Sequence, residues 1–488
     1  MHPITFIHAA DLHLDSPFQH TKGLDGSWKE LLKESTWQAL DNLIELALKE
    51  SVDFVIIAGD IFDKESYSVK AKVRFINKMK RLTDAKIHIY IIHGNHDPLT
   101  EDPTRNFIDI GGHPYVHIFP SDETISISHY KLGQEVARLY GRSYWQRQVT
   151  KDLASECIAK QQQELQQVPQ DKPQEEILKI AILHGQSGLD TDAQPYAPFT
   201  LEKLKQSNID YWALGHIHKP TILNNQHPYI VYSGNVQGRH SGEIGERGCY
   251  LVKCIDQQQV ELNFHALDAV RWQELEVLVE TNNEDEDSNE DNEENKYNNY
   301  NDNEYKDNAI SIIVDNIKNQ LSRNIKDEDK HHIIKLNLKG QTPYYTALRQ
   351  QGVLEYIAEE LSLEKLLIIS IVNKTLPIVN IGNLRQQDTL LGEFLSLIEE
   401  LRTNPQVFKE LRKELDELYG LPTFQQITKT NAGQLGKEQW NLIKLEKDWT
   451  MWLDEVEQLG LDLLLDIIDR NGNSACVVGV EMSENQEN

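Results

Sequence analysis

In the first half of the chain, continuous apolar runs alternate with segments whose apolar residues recur at helical spacing. The apolar runs ITFIHAA, DFVIIAG and KIHIYIIHG are rich in β-branched residues and predict buried strands. Between them, residues 28–50 and 66–82 carry apolar residues at helical spacing, with Trp37, Leu40 and Ile44 on one face of the first. This alternation of strand and helix predicts an α/β fold.

The runs that follow predict a second sheet. VHIF, TISIS and VARLYG indicate mixed or antiparallel pairing, and a glutamine-rich helix near 150–167 ends before Pro169. The remaining strands are LKIAILHG, DYWALGHIH, YIVYSGN, CYLVKC and VELNFHA. Two packed sheets with helices outside make a four-layer α/β/β/α sandwich, which we expect over residues 1–265.

The pattern changes after about residue 266. The strand VRWQELEVLVE leads into residues 280–307, which are so rich in Asn and acidic residues that we expect a disordered acidic insertion. A helix near 308–323, the strand HHIIKLNLKG, a helix near 345–361 and the strand LLIISIVNKT complete a small α/β domain over 266–380. Residues 385–470 predict a helical C-terminal region, which either packs on its own chain or docks onto a partner.

Charge is distributed unevenly along the 488 residues, a length that suits two or three domains. The net charge is −28, but residues 1–265 hold 34 acidic and 27 basic residues, whereas residues 280–307 hold 12 acidic residues and 2 lysines. Much of the acidity therefore lies outside the first predicted domain. The sequence shows no broad basic footprint of the kind that nucleic-acid-binding domains carry.

Hydropathy and cysteine usage favour the cytoplasm. No apolar run approaches the roughly 20 residues that a membrane helix needs. The N-terminal MHPITFIHAADLHLD lacks a basic region followed by an apolar core. The four cysteines are scattered and form no CxxC pair, so we expect reduced thiols.

Polar side chains that can bind a cation follow several of the predicted strands. They are Asp11 and His13 in DLHLD, Asp60 in GDIFD, Asn95 in GNHD, His184 in ILHG, and His216 and His218 in GHIH. Strands that release such groups at one edge of a sheet make a metal site. Imidazoles with two carboxylates, one amide and no thiolate suit Mn, Fe or Zn better than Ca, and argue against a cysteine-type structural zinc site.

The order D-x-H, G-D, G-N-H-D, H, G-H-x-H resembles the signature of the calcineurin-like metallophosphoesterase superfamily, and it is complete here. DLHLD, GDIFD and SGNVQGRHSGEIGERGCYLV resemble most closely its DNA-repair exonuclease branch, the SbcD nuclease subunits and YhaO-like proteins. The resemblance spans about residues 1–255. It implies a site for two divalent cations, with Mn first and Fe or Zn as alternatives.

The resemblance also implies a role for each residue of the site. One cation would be held by Asp11, His13 and His218, the other by Asn95, His184 and His216, with Asp60 bridging them. His96 would stand over the leaving group as a catalytic residue. Some nucleases of the family carry a histidine three residues after the bridging aspartate. Asp63 occupies that position here, so a second catalytic imidazole is absent and the resemblance gives Asp63 no role.

The chemistry of such a site follows from charge. A phosphodiester repels an attacking hydroxide, and two cations about 3.5–4 Å apart remove that repulsion and lower the pKa of a bridging water. Ligating histidines must be neutral, so cation binding should weaken as pH falls through about 6. His96 can protonate the leaving oxygen. Asp97 either orients that ring or caps a helix, and His93 is a candidate to support the GNHD loop.

Two further stretches are candidates for contacts with a substrate. SGNVQGRH follows the predicted strand YIVY, and its Arg239 and His240 could grip a backbone phosphate, although a plain glycine-rich loop has the same composition. The residues on one face of the second helix are Lys70, Arg74, Lys78 and Arg81. A basic stripe can bind DNA, but a solvated helix face is the more common cause of this pattern.

The candidate ligands together with this resemblance predict a two-metal DNA exonuclease of DNA repair that hydrolyses phosphodiesters with a metal-bound water. The resemblance implies DNA as substrate and a coiled-coil ATPase as partner, and a homodimer stays open. Two rivals also stay open. One is a phosphoesterase acting on a phosphoprotein or cyclic nucleotide. The other is a mainly architectural subunit of an ATPase–nuclease complex.

Overall fold

The computed structural model describes most of the chain in ten long stretches. These are residues 3–16, 26–63, 68–99, 113–167, 177–187, 196–257, 259–279, 302–325, 329–378 and 381–404, with residues 18, 24, 327, 406, 407, 413 and eight isolated positions between 453 and 464. Two compact units divide the chain. The first comprises Met1–Glu274, Asp327–Lys335 and Ser362–Ile369, and the second comprises Leu275–Lys326, Leu336–Leu361 and Ser370–Asn488.

Two sheets make up most of the first unit. Their strands are β1 (Ile4–Ala9), β2 (Phe54–Ala58), β3 (His88–Ile92), β4 (Val116–Ile118), β5 (Ile125–Lys131), β6 (Gln134–Gly141), β7 (Leu178–His184), β8 (Tyr211–Gly215), β9 (Thr221–Asn224), β10 (Tyr229–Tyr232), β11 (Gly248–Cys254) and β12 (Val260–Ala266). One sheet has the order β12-β11-β1-β2-β3-β4 and the other β5-β6-β7-β8-β10-β9. Strands β1 to β4 pair in parallel, as do β6, β7 and β8.

Helices cover the outer face of each sheet. They are α1 (Gly26–Glu50), α2 (Val69–Asp84), α3 (Leu153–Gln167) and α4 (Leu201–Lys205). Leu40 of α1 and Phe75 of α2 belong to one core with Ile57 of β2. Leu153 and Leu204 belong to a second core with Leu183 of β7.

A third core lies between the two sheets. Phe54 of β2 and Tyr211 of β8 belong to it, and both are fully buried. Apolar residues on both faces explain why these strands appear in the sequence as nearly continuous apolar runs. The structure has the predicted four-layer α/β/β/α sandwich.

Local chemistry sets several boundaries that differ from the predicted ones. Helix α2 begins at Val69 rather than near residue 66, because Ser68 is its N-cap and its Oγ accepts a hydrogen bond from Ala71 N at 3.1 Å. Strand β9 was absent from the sequence prediction. Its four residues lie at the edge of a sheet and only half-buried, so they carry little apolar pattern.

The remaining elements are β13 (Val270–Leu278), α5 (Asp302–Asn324), β14 (His331–Gln341), α6 (Tyr345–Leu348), α7 (Val353–Leu361), β15 (Leu366–Leu376), α8 (Ile381–Arg385) and α9 (Leu390–Thr403). Strands β13, β14 and β15 pair in that order. The helix predicted near 345–361 is interrupted, because Gly352 has a φ of 85°.

Two predicted features fall largely outside the described residues. Of the acidic insertion, residues 280–301 are outside them, and residues 302–307 belong to α5, which begins earlier than the predicted 308. Most of the predicted helices beyond residue 404 also lie outside the described part. In the described part, no helix combines the length and the apolar composition required to cross a bilayer.

Candidate metal centre

The candidate ligands lie at the ends of five strands. Asp11 and Asp60 follow β1 and β2, Asn95 follows β3, His184 ends β7, and His216 follows β8. Within each sheet these strands are parallel, so their carboxyl ends share one edge. The sandwich thereby brings together residues as distant in the chain as Asp11 and His216, which are 205 positions apart.

The backbone at this edge turns in the left-handed region at four ligand positions. The φ angles are 51° at Asp11, 43° at His13, 51° at Asp60 and 97° at His216. Hydrogen bonds between the turns hold two of them, from Asp11 N to Gly59 O and from His13 N to Asp60 O, each 3.0 Å. Residues without a glycine's freedom adopt this conformation at a cost, and such strain clusters at functional sites.

Asp11, His13 and His218 form the first group of candidate ligands. They offer ligand atoms that lie within 4.8 Å of one another. His13 Nε2 and His218 Nε2 are 3.2 Å apart. Both Asp11 oxygens accept from the main-chain nitrogen of His216 at 3.1 Å, which fixes the carboxylate at the centre of the site.

Asn95, His184 and His216 form the second group. Asn95 Oδ1 lies 2.8 Å from His184 Nε2 and 3.1 Å from His216 Nδ1. Asp60 Oδ2 is 3.2 Å from His184 Nε2 and 3.9 Å from His13 Nε2. Asp60 Oδ2 thus lies close to one histidine of each group.

Each ligand imidazole has its other nitrogen engaged, which selects the nitrogen left for a cation. The partners are Asp63 Oδ1 for His13 Nδ1 at 3.0 Å, Ala58 O for His184 Nδ1 at 2.9 Å, Gln186 Oε1 for His216 Nε2 at 3.2 Å, and Glu243 Oε1 for His218 Nδ1 at 2.5 Å. With those nitrogens donating and the rings neutral, as ligating histidines must be, the four remaining nitrogens carry lone pairs that face other acceptors. A set of converging acceptors without donors between them fits divalent cations.

Gly94 provides the space that the second group occupies. A Cβ at this position would lie 2.7 Å from His184 Nε2 and would also collide with the Asp60 carboxylate. The residue before Asn95 therefore has to be glycine for the ligands to converge.

Burial and charge shift the pKa values of the ligands. Burial raises the pKa of Asp11. Burial also acts to raise the pKa of Asp60, but the imidazoles of His184 and His13 outweigh it and hold that pKa well below its usual range. His184 is affected in the reverse sense, because burial lowers its pKa while Asp60 raises it to about 9. Burial, followed by the charge of His184, lowers the pKa of His216 to about 3. Charges this close together in a buried site are typical of a functional centre.

His96 stands beside the ligands and is about one-third exposed. Its main-chain nitrogen donates to Asp60 Oδ1 at 2.8 Å, and its Nδ1 lies 2.6 Å from Asp63 Oδ1. Burial acts to lower the pKa of His96, but the hydrogen bond to Asp63 and the charge of Asp60 raise it. Asp63 also contacts His13, so this carboxylate joins the two rings.

Asp97 does not orient His96, contrary to one of the two sequence interpretations. Its carboxylate accepts from the main-chain nitrogens of Gly94 and Ile61, both at 2.9 Å. It therefore ties the GNHD loop to the loop after β2. His93 supports the same loop as suggested, with Nδ1 2.8 Å from the carbonyl oxygen of Asp97.

The two candidate substrate residues occupy different surroundings. Arg239 Nη1 lies 3.1 Å from Asp63 Oδ2, one carboxylate away from His96. His240 Nε2 lies 3.5 Å from Glu243 Oε1. Glu243 and Gln186 were missed at the sequence level, because neither residue has a pattern that separates it from ordinary loop polarity.

The basic face of α2 packs against acidic residues of α1. Arg74 makes a two-pronged contact with Glu34 at 3.0 and 2.6 Å, and Lys78 pairs with Asp41. Arg81 lies 2.5 Å from Glu45. These ion pairs favour the solvated-face interpretation of the stripe over DNA binding.

Comparison with known proteins gives consistent similarities. Residues 4–220 match the sequence profile of the calcineurin-like phosphoesterase family. A Bacillus subtilis protein described as "uncharacterized metallophosphoesterase YhaO" is 37% identical over 274 residues, which cover 56% of this chain and 63% of that protein. The DNA double-strand break repair protein Mre11 of Methanocaldococcus jannaschii is 25% identical over 258 residues, 51% of this chain and 62% of that protein.

A third relative is the SbcD component of the nuclease SbcCD from Staphylococcus epidermidis. It is 26% identical over 293 residues, which cover 56% of this chain and 71% of that protein. The chain spans less than two thirds of the length of the first two relatives. Each of the three alignments covers only slightly more than half of this chain.

Proposed function

We propose that this chain is a two-metal DNA exonuclease that works in DNA repair, on the premise that residues 4–220, which match the calcineurin-like phosphoesterase family, form its metallophosphoesterase domain. The family consists of metal-dependent phosphoesterases, which are hydrolases. The choice of DNA is supported by relatives named as a DNA double-strand break repair protein and a component of a nuclease. The observation that carries the proposal is the convergence of seven candidate ligand side chains at one edge of the sandwich.

The proposal keeps the ligand roles that the family resemblance implies. The first cation would be held by Asp11, His13 and His218, and the second by Asn95, His184 and His216, whose side chains lie close enough together for these roles. Asp60, with one oxygen close to a histidine of each group, sets the spacing. When bound, two divalent cations, with Mn favoured, supply charge neutralisation of the phosphodiester and activation of water.

His96 is the proton donor in this proposal. Because Nδ1 is engaged with Asp63 at 2.6 Å, the ring presents Nε2 to the substrate. A proton on Nε2 passes to the departing 3′ oxygen, so that the leaving group departs as a neutral hydroxyl. Asp63 orients the ring and favours its protonated form, which is the form that a general acid needs.

Arg239 is the proposed phosphate-binding residue. Its guanidinium is held by Asp63 Oδ2 at 3.1 Å, and this side chain is only 17% exposed. A guanidinium so placed can bind a backbone phosphate next to the scissile one and keep the DNA end in register with His96. His240, engaged with Glu243, takes a lesser part.

A partner protein is proposed for the helical region of residues 385–470, as the resemblance to SbcD implies. Leu395 of α9 is buried against Leu461 of the same chain, so part of the apolar surface is covered internally. Leu397 and Leu459 are about half exposed and offer contacts to a coiled-coil ATPase. Leu397→Glu should abolish co-purification with a co-expressed coiled-coil ATPase, while leaving metal-dependent cleavage of short DNA intact. Retained co-purification would remove this surface from the proposal.

The direct test of the activity is incubation of the purified full chain with end-labelled duplex and single-stranded DNA in Mn²⁺, Mg²⁺ or EDTA. We expect shortening of linear duplex DNA in Mn²⁺ and none in EDTA. Parallel assays on a nitrophenyl phosphodiester and the matching monoester separate the alternatives. Strong monoester turnover with intact DNA would favour a phosphoprotein phosphatase. If His96→Ala abolishes cleavage but preserves repair in cells, that result would favour a mainly architectural role over the nuclease.

A further inference from the structure

Glu243 sits where the metal centre meets the 233–240 loop (SGNVQGRH). Its side chain is buried, with 7% exposure, although carboxylates are rarely found inside proteins without partners. The two oxygens contact different structures. Oε1 is 2.5 Å from Nδ1 of His218, and Oε2 is 2.7 Å from the main-chain nitrogen of Arg239 and 2.9 Å from Nδ2 of Asn235.

The Oε1 contact determines what His218 can do. Its Nδ1 donates to the carboxylate, so its Nε2 carries the lone pair that faces His13 Nε2 at 3.2 Å. A carboxylate behind a ligating histidine fixes the tautomer and the ring orientation and raises the basicity of the ligand. Without Glu243, the ring could rotate or protonate at Nε2 and lose its place in the first ligand group.

The Oε2 contacts determine the path of the loop. Asn235 and Arg239 donate to one oxygen from the two ends of the segment NVQGR and hold it in a tight turn. The turn is tied back to the ligand, because Asn235 N donates to the carbonyl oxygen of His218 at 3.1 Å. Arg239, the proposed phosphate-binding residue, is thus placed by the carboxylate that places a metal ligand.

We propose that Glu243 is a positioning residue that couples His218 to the 233–240 loop, so that cation binding and the ordered loop stabilise each other. The assignment rests on the proposed metal pair. Coupling of this kind is reciprocal, because a free energy that the cation gains from an ordered loop is also gained by the loop from the cation. The cation would then prepare the surface that receives DNA.

Carboxylate chemistry is needed for both contacts at once. An amide in place of the carboxylate has one oxygen and one NH₂ group. If Gln keeps its oxygen on His218, its NH₂ faces the donors of Arg239 and Asn235. If it turns over, its NH₂ faces Nδ1 of His218. Either way a buried donor meets a donor, which costs about 1–3 kcal/mol.

The experiment measures binding of Mn²⁺ alone by calorimetry and hydrogen exchange of peptides covering the loop, both on the full chain. Glu243→Gln should weaken one of two Mn²⁺ binding steps by about 10–100-fold. It should also remove the protection that Mn²⁺ gives to the loop in the unaltered protein. The matched control is Glu246→Gln, an exposed carboxylate of the same segment that pairs with Arg271 and should change neither result.

A second variant separates the contact of Glu243 with His218 from its contacts with the loop. It also tests the proposal if Glu243→Gln fails to fold. Asn235→Ala removes a loop contact but leaves Glu243 on His218, so it should keep Mn²⁺ affinity within about threefold while losing Mn²⁺-dependent loop protection. A role in stability alone would lower the melting temperature in EDTA without altering either Mn²⁺ readout.

The coupling is overturned if Glu243→Gln binds Mn²⁺ as tightly as the unaltered protein, or if Mn²⁺ leaves exchange in the unaltered loop unchanged. Neither readout requires DNA cleavage. Two bound Mn²⁺ ions with a responsive loop but intact DNA would refute the proposed nuclease activity and keep the coupling. Cleavage of DNA by a protein whose loop does not respond to Mn²⁺ would support the nuclease activity and refute the coupling.

Discussion

His13 Nε2 and His218 Nε2 face each other across 3.2 Å, although the opposite nitrogen of each ring is held by a carboxylate. Two lone pairs at this distance repel each other unless a positive charge lies between them. The separation is close to that of two nitrogen ligands at about 2.0–2.1 Å from one tetrahedral cation. The pair is therefore the local reason to expect a cation at this position.

Removing the proton donor should slow cleavage without removing the metals. We predict that His96→Ala lowers kcat by about 10²–10⁴-fold, the range for loss of a general acid, while Mn²⁺ affinity stays unchanged. Asp63→Asn should also lower kcat, because Nδ1 of His96 loses its 2.6 Å charged partner. Single-turnover kinetics measures the rate of cleavage, and calorimetry measures Mn²⁺ affinity separately. A loss in the double variant equal to the sum of the single losses in free energy would contradict a shared role.

Substrate affinity should depend on Arg239 and not on the basic face of α2. Arg239→Ala should raise KM for DNA by about tenfold or more, since a charged contact to a phosphate is lost. Arg74→Ala is the matched control, because Arg74 is likewise paired with a carboxylate, Glu34 at 2.6 Å, but lies on α2 rather than in the 233–240 loop, and should leave KM unchanged. Steady-state kinetics at several salt concentrations measures both. A larger increase in KM from Arg74→Ala than from Arg239→Ala would indicate that the basic face of α2 binds DNA.

Gly94→Ala should abolish binding of the second cation. The added methyl group would lie 2.7 Å from His184 Nε2, so the ring or Asp60 must move out of place. We expect Mn²⁺ titration to lose one binding step. Gly26→Ala, where a methyl group meets nothing within 4 Å, should bind both ions normally. Two intact binding steps in Gly94→Ala would refute the proposed position of the second site.

A separate histidine cluster predicts loss of stability in acid. Burial, with contributions from His88, His117 and Lys131, lowers the pKa of His129 to about 3. Its Nδ1 lies 2.9 Å from Tyr90 Oη across the two sheets. His88 Nδ1 is 2.9 Å from His117 Nε2, a contact that needs one unprotonated nitrogen.

The folded state keeps His129 neutral, whereas the unfolded chain takes up a proton below about pH 6.5. Stability is therefore full above that pH and decreases as pH falls from 6.5 towards 3, by about 2 kcal/mol between pH 7 and pH 5 for one such group. His129→Gln should flatten the dependence of the unfolding free energy on pH in denaturant titrations with EDTA. The control His265→Gln, on β12, should leave this pH dependence unchanged. A pH dependence in His129→Gln as steep as that of the unaltered protein would contradict this account.

The layers of the fold could be predicted from the sequence because their apolar runs are long and bounded by turns. The seven candidate ligands could be singled out because most of them follow such a run, and the family resemblance suggested a role for each. Strand β9 and the break at Gly352 could not be predicted, because a short edge strand or a single glycine leaves too weak a pattern in the sequence.

Contacts between distant loops could not be predicted. Nothing in the sequence indicates that Glu243 reaches His218 or that Gln186 reaches His216, since those pairings depend on how two sheets stack. The aspartates after the motifs show the same limit. Asp97 lies next to His96 in the chain yet binds main-chain nitrogens, while Asp63, 33 positions away, holds the ring.

Anomalous diffraction from crystals of the full chain grown in Mn²⁺ tests the paired-cation site most directly. The account predicts two anomalous peaks about 3.5–4 Å apart, one among Asp11, His13 and His218, the other among Asn95, His184 and His216, with Asp60 touching both. An empty pocket, or a lone peak away from Asp60, would contradict it.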